Sequence, residues 1–240
     1  MAANVGKGSI YKLGRPYTAD IPLFSARKFS LRFPGIPTGV NDGLSGNQVT
    51  WNAEFLATEV GQVGIQFDGL GHIGVIMGAA GEEPNTRWHN SFTIVQMANS
   101  YGLNKLGVKN LNPVVARGVL IDVAAIWGSE MKAGDLITME PVDKALAAQG
   151  MSDFKFASDD AVTIRTGWEK HSCDAQTYNA GCPGIGVEVA RWIAEDIQAS
   201  VTGFDTCPEM QSSIQTQPAR SVYTRTCKHA TESSTSRTWC

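Results

Sequence analysis

Val114-Val-Ala-Arg-Gly-Val-Leu-Ile-Asp-Val123 is a nearly continuous apolar run in the middle of the chain. Such a run is typical of a strand that is buried on both faces, as in a parallel sheet whose two faces are covered. The run therefore predicts a strand at the centre of a sheet.

Helices and strands alternate after this strand. Residues 138–150 combine a threonine cap, a proline in the first turn and a terminal glycine, and they predict a helix. Residues 161–166 and 199–204 predict strands, and residues 187–198 predict a helix between them. This order indicates an α/β fold, as a single layered domain with a mixed central β-sheet flanked by helices.

The flanking regions are less regular. Residues 1–50 are rich in glycine and proline and form a loop-rich N-terminal region, with one alternating strand over residues 29–33. Residues 51–78 predict strands and turns, and residues 90–102 a short helix. Residues 208–240 are dominated by polar side chains without apolar periodicity, so we expect a domain over residues 1–207 and a poorly ordered tail.

Composition narrows the classes of function. The net charge of −3 comes without any cluster of basic and aromatic residues, which argues against nucleic acid as a partner. No apolar stretch has the length of a signal peptide or a membrane span, so we expect a soluble, cytoplasmic protein. The five cysteines include no Cys-x-x-Cys pair, and no serine-nucleophile elbow or phosphate-binding loop is present.

The densest set of metal-ligating side chains lies between Gln62 and His72. Asp68 and His72 supply a carboxylate and an imidazole, and Gln62 and Gln66 add amide oxygens. In an extended segment Gln62, Gln66 and Asp68 share a face, because their separations are even. The glycines at 69 and 71 would let the chain turn and bring His72 back toward the same ion. By spacing alone, a glutamine-rich face with one aspartate and one histidine is more often a polar turn than a metal site.

The stretch Gly61-Gln-Val-Gly-Ile-Gln-Phe-Asp-Gly-Leu-Gly-His72 resembles the metal-binding motif of the cyclase superfamily, the kynurenine-formamidase-like metal-dependent hydrolases. Two further blocks resemble the same family, at residues 115–123 and at residues 162–168 followed by 183–195. Gln62 and Gln66 stand where better-known members carry histidines. This pattern is similar to the Gln-x-x-x-Gln-x-Asp-x-x-x-His branch that includes trans-dienelactone hydrolase.

The resemblance implies a metal site and a reaction. Its ligands would be Gln62, Gln66, Asp68, His72 and Glu188, the last at the position of the family's late glutamate. Glu188, His72 and Asp68 would be the catalytic residues, and the divalent metal would be Zn²⁺ or Mn²⁺. The bound ion would activate water against a small cyclic or aryl substrate such as a lactone, a cyclic imide or amide, or a formamide. An exposed first-turn helix position is the alternative explanation of Glu188.

The surroundings of the motif leave two classes of function open. His89 and the aromatic residues Phe67, Trp88 and Trp168 are candidates to line the substrate pocket. His89 is equally compatible with a plain loop position, and aromatic residues are more often part of the core. Formamidase-like members carry a catalytic histidine before the late glutamate, and residues 173–182 contain none. The alternative function is therefore a catalytically inactive member of the same fold that binds a metal or small molecule.

The resemblance also bears on assembly and on the C-terminus. Family members are commonly homo-oligomers, which implies a dimer here. They usually continue past residues 199–204 with ordered chain, whereas residues 211–240 look unlike that continuation. A frameshifted tail is the hypothesis that follows.

Overall fold

A computed structural model describes residues 6–11, 13–14, 16–23, 26–39, 46, 49–59, 61, 63–77 and 85–206. Its strands are β1 (Phe29–Arg32), β2 (Phe55–Thr58), β3 (Val75–Met77), β4 (Asn85–Arg87), β5 (Ala98–Asn99), β6 (Gly102–Leu103), β7 (Gly118–Asp122), β8 (Leu136–Ile137), β9 (Ala161–Arg165), β10 (Gly184–Ile185) and β11 (Val201–Phe204). Its α-helices are α1 (Ile94–Met97), α2 (Met139–Ala148), α3 (Ala175–Asn179) and α4 (Val187–Arg191), and α4 continues as a π-helix over Trp192–Ile197.

The described chain forms two compact units. The larger unit contains Phe67–Glu169 and the chain from Gly181 onward, and the smaller contains Ser9–Gln66 and Lys170–Ala180. The predicted tail, residues 208–240, lies outside the described residues, and the predicted domain boundary stays a prediction.

The larger unit is built on a parallel sheet. Its strand order is β11-β9-β7, and both pairs are parallel, with Val119 opposite Val162 and Val162 opposite Thr202. A second parallel pair joins β8 to β10. The antiparallel pairs β3–β4 and β5–β6 are separate two-stranded sheets. The α/β class with parallel strands and flanking helices is therefore confirmed.

The predicted central position of the apolar run is wrong for the described part of the sheet. β7 lies at its edge and β9 in the middle. β7 is also buried on one face only, because Val119 and Ile121 point into the core while Leu120 is about half exposed. The run is shorter as a strand than the apolar pattern suggests, and Val114 and Val115 before it are exposed.

A side chain covers the backbone of this edge strand. The amide of Gln149, at the end of α2, accepts from the Asp122 N–H at 3.0 Å and donates to the Leu120 carbonyl at 2.8 Å. An edge strand exposes unpaired backbone groups that invite another strand to pair with it. Gln149 satisfies two of these groups, so β7 can end the sheet.

Helices α2 and α4 cover the buried face of the sheet. In α2 the buried residues Val142, Ala145 and Leu146 recur at the spacing of one helical face. They pack in one cluster with Ile121 of β7 and Ile164 of β9. Complete burial of a large aliphatic side chain contributes roughly 1.5–3 kcal/mol, so this layer supplies much of the larger unit's stability.

The structure confirms two of the predicted helices and only part of the third. The helix over residues 138–150 is confirmed as α2, and that over residues 187–198 as α4 with its π-helical continuation. The helix predicted over residues 90–102 is confirmed only over Ile94–Met97, because Asn90 and Ser91 have positive φ and the chain after Met97 turns into the β5–β6 hairpin. Asn99 favours this hairpin, since its side-chain oxygen accepts from the Tyr101 N–H at 2.8 Å.

In the smaller unit the predicted strand over residues 29–33 is confirmed as β1, which pairs antiparallel with β2. Beside it, the Thr38 hydroxyl donates to the Ala53 carbonyl at 3.2 Å and accepts from the Ala53 N–H at 2.9 Å. Across both units, the described helices are all too short or too polar to cross a bilayer.

Candidate metal centre at the Asp68–His72 turn

The candidate centre is a tight turn in the larger unit. The His72 N–H donates to the Gly69 carbonyl at 2.9 Å and closes the turn, and Leu70 within it is buried. Asp68 enters this turn and His72 leaves it, so their side chains come together. The distance between His72 Nε2 and Asp68 Oδ1 is 3.7 Å. The structure therefore pairs the two residues that the sequence motif predicted to share an ion.

Close packing leaves little room for a side chain at either glycine of the turn. A Cβ on Gly71 would lie 2.6 Å from Leu103 Cδ1 and 3.0 Å from the Leu106 carbonyl oxygen. A Cβ on Gly69 would lie 2.9 Å from Val108 Cγ2. The backbone of the turn thus rests directly on residues 103–108. This contact fixes the positions from which Asp68 and His72 extend.

The geometry of the pair fits two ligand positions of a divalent ion. Two donors bound at about 2.0–2.2 Å in tetrahedral geometry are separated by about 3.3–3.6 Å, close to the observed distance. The side chains of His72 and Asp68 are 43% and 36% exposed, so an ion could reach them. Within the described ranges, however, no group of three or more His, Cys, Asp and Glu side chains is arranged to hold a metal. The pair is a partial site.

The structure does not test the two glutamines of the motif as metal ligands. Gln62 lies outside the described residues. Gln66 is half-buried and belongs to the smaller unit. Their role as amide-oxygen ligands stays a prediction.

Glu188 occupies the N-terminus of a helix other than its own. It is an exposed residue in the first turn of α4, and its Oε1 accepts from the Met139 N–H at 3.0 Å. Thr138, the N-cap residue of α2, makes no side-chain capping bond, so Glu188 satisfies the first backbone donor of α2. A carboxylate is favourable there because of the positive end of the helix dipole. Its role as a metal ligand stays a prediction.

The predicted pocket residues lie near this turn in sequence, and the structure gives each a local setting. The Trp88 indole packs against Gly74, where an added Cβ would be 2.7 Å from Cε2. His89 is half-buried at the start of a 3₁₀ turn over His89–Ser91, and Phe67 is exposed. Trp168, a further aromatic candidate for a pocket wall, is a buried core residue.

Sequence reasoning missed a charged cluster at the carboxyl ends of the parallel strands. Arg165 Nη1 donates to Asp122 at 3.0 and 3.2 Å, and Arg165 Nη2 lies 3.5 Å from Glu169 Oε1. Asp205, the residue after β11, accepts hydrogen bonds from the Thr166 and Gly167 N–H groups, which directly follow Arg165. The sequence did hold a signal, because a charged residue lies within one position of the end of each predicted strand and parallel strands end at one edge.

One family model matches most of the chain, and solved structures share its fold. The model of the Cyclase family, described as “Putative cyclase”, matches residues 11–208. A crystal structure described as a novel cyclase is 23% identical with a TM-score of 0.67, over 85% of this chain and 66% of that one. This chain therefore spans about two thirds of that protein's length.

A second solved structure is isatin hydrolase A from Ralstonia solanacearum. It is 16% identical with a TM-score of 0.57, over 93% of this chain and 78% of that protein. An isatin hydrolase bound to the product analogue thioisatinate is 13% identical with a TM-score of 0.50, over 89% of this chain and 72% of that one. At these identities the likeness establishes the fold. A search of curated proteins found no match.

Proposed function

Because the chain belongs to the cyclase family, we propose that it is a metal-dependent hydrolase that acts on a small cyclic or aryl substrate. The observation that carries the proposal is the Asp68–His72 pair, whose ligand atoms lie 3.7 Å apart on a turn that is closed by the bond from the His72 N–H to the Gly69 carbonyl. A structure with this fold that is named isatin hydrolase supports hydrolysis as the reaction class.

The role proposed for each residue follows from the atoms that it can offer to a metal ion or to a proton. Asp68 Oδ1 and His72 Nε2 hold a divalent ion, Zn²⁺ or Mn²⁺, with Gln62, Gln66 and Glu188 as the further proposed ligands. When bound, the ion supplies an activated water and polarises a carbonyl. Met139 fixes one carboxylate oxygen of Glu188, and the other is the proposed proton acceptor.

The substrate class rests on the family and on the motif. Lactones, cyclic imides or amides, and formamides all present a carbonyl that a hydrolase of this kind would attack. The glutamines in place of histidines favour a lactone, since they are similar to the branch that includes trans-dienelactone hydrolase. Phe67, Trp88 and His89 are the residues proposed to contact the ring of the substrate.

A metal and activity assay tests the proposal. Purified protein should contain a stoichiometric divalent metal by elemental analysis, and it should hydrolyse at least one lactone, imide or formamide in a reaction that EDTA abolishes. Asp68→Ala should lower metal affinity by more than about 100-fold, because it removes a direct ligand where outer partners alone contribute 10–100-fold. The control Asp143→Ala removes an exposed carboxylate of α2 and should retain both properties.

A specific observation favours a second candidate function, that of a non-catalytic binding protein. Within the described residues no third His, Cys, Asp or Glu joins Asp68 and His72. Such a protein would bind the metal or small molecule but hydrolyse none of the panel. Metal-free protein without chelator-sensitive turnover would contradict the hydrolase.

A further inference from the structure

Two side chains of the N-terminal region hold the backbone at the start of the predicted metal motif, within the smaller unit. The Tyr17 hydroxyl donates to the Ile65 carbonyl at 2.7 Å. Arg27 Nε donates to the Gly61 carbonyl at 3.1 Å. Each of these carbonyls belongs to the residue directly before a glutamine of the motif. Because a peptide group is planar, each bond also orients the N–H of the glutamine that follows.

Packing holds Tyr17 in place for its bond. The ring covers Gly64 so closely that an added Cβ would overlap the ring atoms. The ring also meets that of Phe29 in β1 edge to face, with the two centroids 5.9 Å apart. The hydroxyl therefore reaches the Ile65 carbonyl from a ring that already has neighbours to hold it.

Arg27 directly precedes β1, and the next residue ties this end of the strand to β2. The Lys28 N–H donates to Glu59 Oε2 at 2.7 Å, and Glu59 directly follows β2. The Arg27 side chain is half-buried, and a charged guanidinium makes a stronger bond to a carbonyl than a neutral donor does. The β1–β2 hairpin is thus the base from which Arg27 reaches the Gly61 carbonyl.

The side chain of Gln66 lies close to the other peptide group that is held. Gln66 is half-buried, and its Oε1 would be 3.8 Å from a Cβ on Gly61. The Gln66 amide therefore lies beside the residue whose carbonyl Arg27 holds. Tyr17 orients the backbone of Gln66, and Arg27 holds the backbone beside its side chain.

We propose that Tyr17 and Arg27 position the motif glutamines, Gln62 and Gln66, for a divalent ion. This inference rests on the proposed function, in which the two glutamines are ligands. An amide oxygen carries no net charge, so its contribution to binding depends strongly on a backbone that is ordered before the ion arrives. Tyr17 and Arg27 supply this order through the backbone and are not themselves ligands.

Tyr17→Phe tests the first bond, because it deletes the hydroxyl and keeps the ring on Gly64. Calorimetric titration with Zn²⁺ and with Mn²⁺ should show an affinity about 10-fold weaker than that of the wild type, the lower end of the effect of residues that orient metal ligands. The matched control Tyr11→Phe removes the hydroxyl of an exposed tyrosine in the same unit and should bind as the wild type does. Equal affinities of Tyr17→Phe and the wild type would overturn the role of Tyr17.

Arg27→Ala tests the second bond in the same titration. It should weaken the affinity by about 10-fold or more, since it removes the donor to the Gly61 carbonyl. Arg32→Ala deletes an exposed arginine of β1 and is the matched control, with the affinity of the wild type expected. If the two arginine variants bind alike, Arg27 is not a positioning residue.

A double-mutant cycle separates positioning from a general loosening of the fold. In a chain that carries Gln66→Ala, Tyr17→Phe should cost no further affinity, because the ligand that Tyr17 positions is already gone. A tyrosine that only stabilises the fold would weaken binding equally with and without Gln66, and this result would contradict the proposal.

The same titrations distinguish a failure of this inference from a failure of the proposed function. If Asp68→Ala abolishes binding while Gln66→Ala and Tyr17→Phe leave it unchanged, the metal site stands and the positioning role is wrong. A wild-type chain that binds neither ion would refute the proposed function, and the positioning role with it.

Discussion

At the scale of single residues, Asp160 is the buried charge on which the larger unit depends most directly. It is 1% exposed and accepts from Arg117 Nε at 2.7 Å and Nη2 at 2.6 Å. It also accepts from the Ala157 N–H at 2.8 Å, and its carbonyl accepts from the Ser200 N–H. Since Arg117, Asp160 and Ser200 each precede one strand of the parallel sheet, this set joins the amino ends of β7, β9 and β11.

We predict that Asp160→Ala lowers the free energy of unfolding by about 1–3 kcal/mol, because it removes the two charge-assisted hydrogen bonds from Arg117 and the acceptor of the Ala157 N–H. The bond from Arg117 lowers the pKa of Asp160, so its contribution should be present above the ordinary aspartate pKa and lost as pH falls through the folded value. Urea denaturation at neutral and acid pH measures both effects.

The neighbouring Asp159→Ala is the matched control, because Asp159 is exposed whereas Arg117 donates two hydrogen bonds to the carboxylate of Asp160. Equal destabilisation by the two substitutions would show that the Arg117–Asp160 pair contributes no more to the free energy of unfolding than an exposed carboxylate does.

Sequence reasoning reached some of these residues and not others. Asp68 and His72 could be predicted because their pairing is local, set by a four-residue separation and two glycines. The contact of Glu188 with Met139 could not, because it depends on β8 and β10 lying side by side although 47 residues separate Ile137 from Gly184. Long-range contacts of this kind leave no periodic pattern in the sequence.

At the scale of elements, the same distinction explains the error over β7. The apolar run correctly predicted a strand, because the apolar residues of the run include Val119 and Ile121, which the strand buries. Its place in the sheet depends on which strands follow and on the side chain of Gln149, which occupies the free edge. The existence of an element is thus a local property, whereas its neighbours are decided by the whole unit.

The turn that carries His72 offers a test at this scale. We predict that Gly71→Ala lowers the free energy of unfolding by about 1–3 kcal/mol, because the new methyl group overlaps Leu103 and approaches the Leu106 carbonyl. The shift of the turn should also weaken metal binding, which calorimetric titration with Zn²⁺ or Mn²⁺ measures.

Gly118→Ala is the control for this substitution, because a Cβ on Gly118 meets nothing within 4 Å. It should leave both stability and metal binding close to those of the wild type. A Gly71→Ala chain that binds metal as tightly as Gly118→Ala would show that the turn does not position the ligands.

At the scale of the whole molecule, the α/β class and the family could be predicted because three separate blocks of sequence resemble the family in the same order. The family model matches residues 11–208.

None of these blocks indicates how copies of the chain assemble. The expected dimer stays a prediction, and the smaller unit contains a surface suited to test it. Leu31 and Leu56 are register partners in β1 and β2 and are 47% and 54% exposed.

We predict that the wild-type chain has twice the mass of one chain in light scattering after size exclusion, and that Leu56→Lys shifts it to the monomer. Burying this leucine pair against a second copy would stabilise the dimer, and a lysine there would carry its charge into the interface. Ala57→Lys places the same charge on the opposite face of β2 and should leave the dimer intact. A wild-type monomer would refute the dimer, and equal effects of the two lysines would exclude this face as its interface.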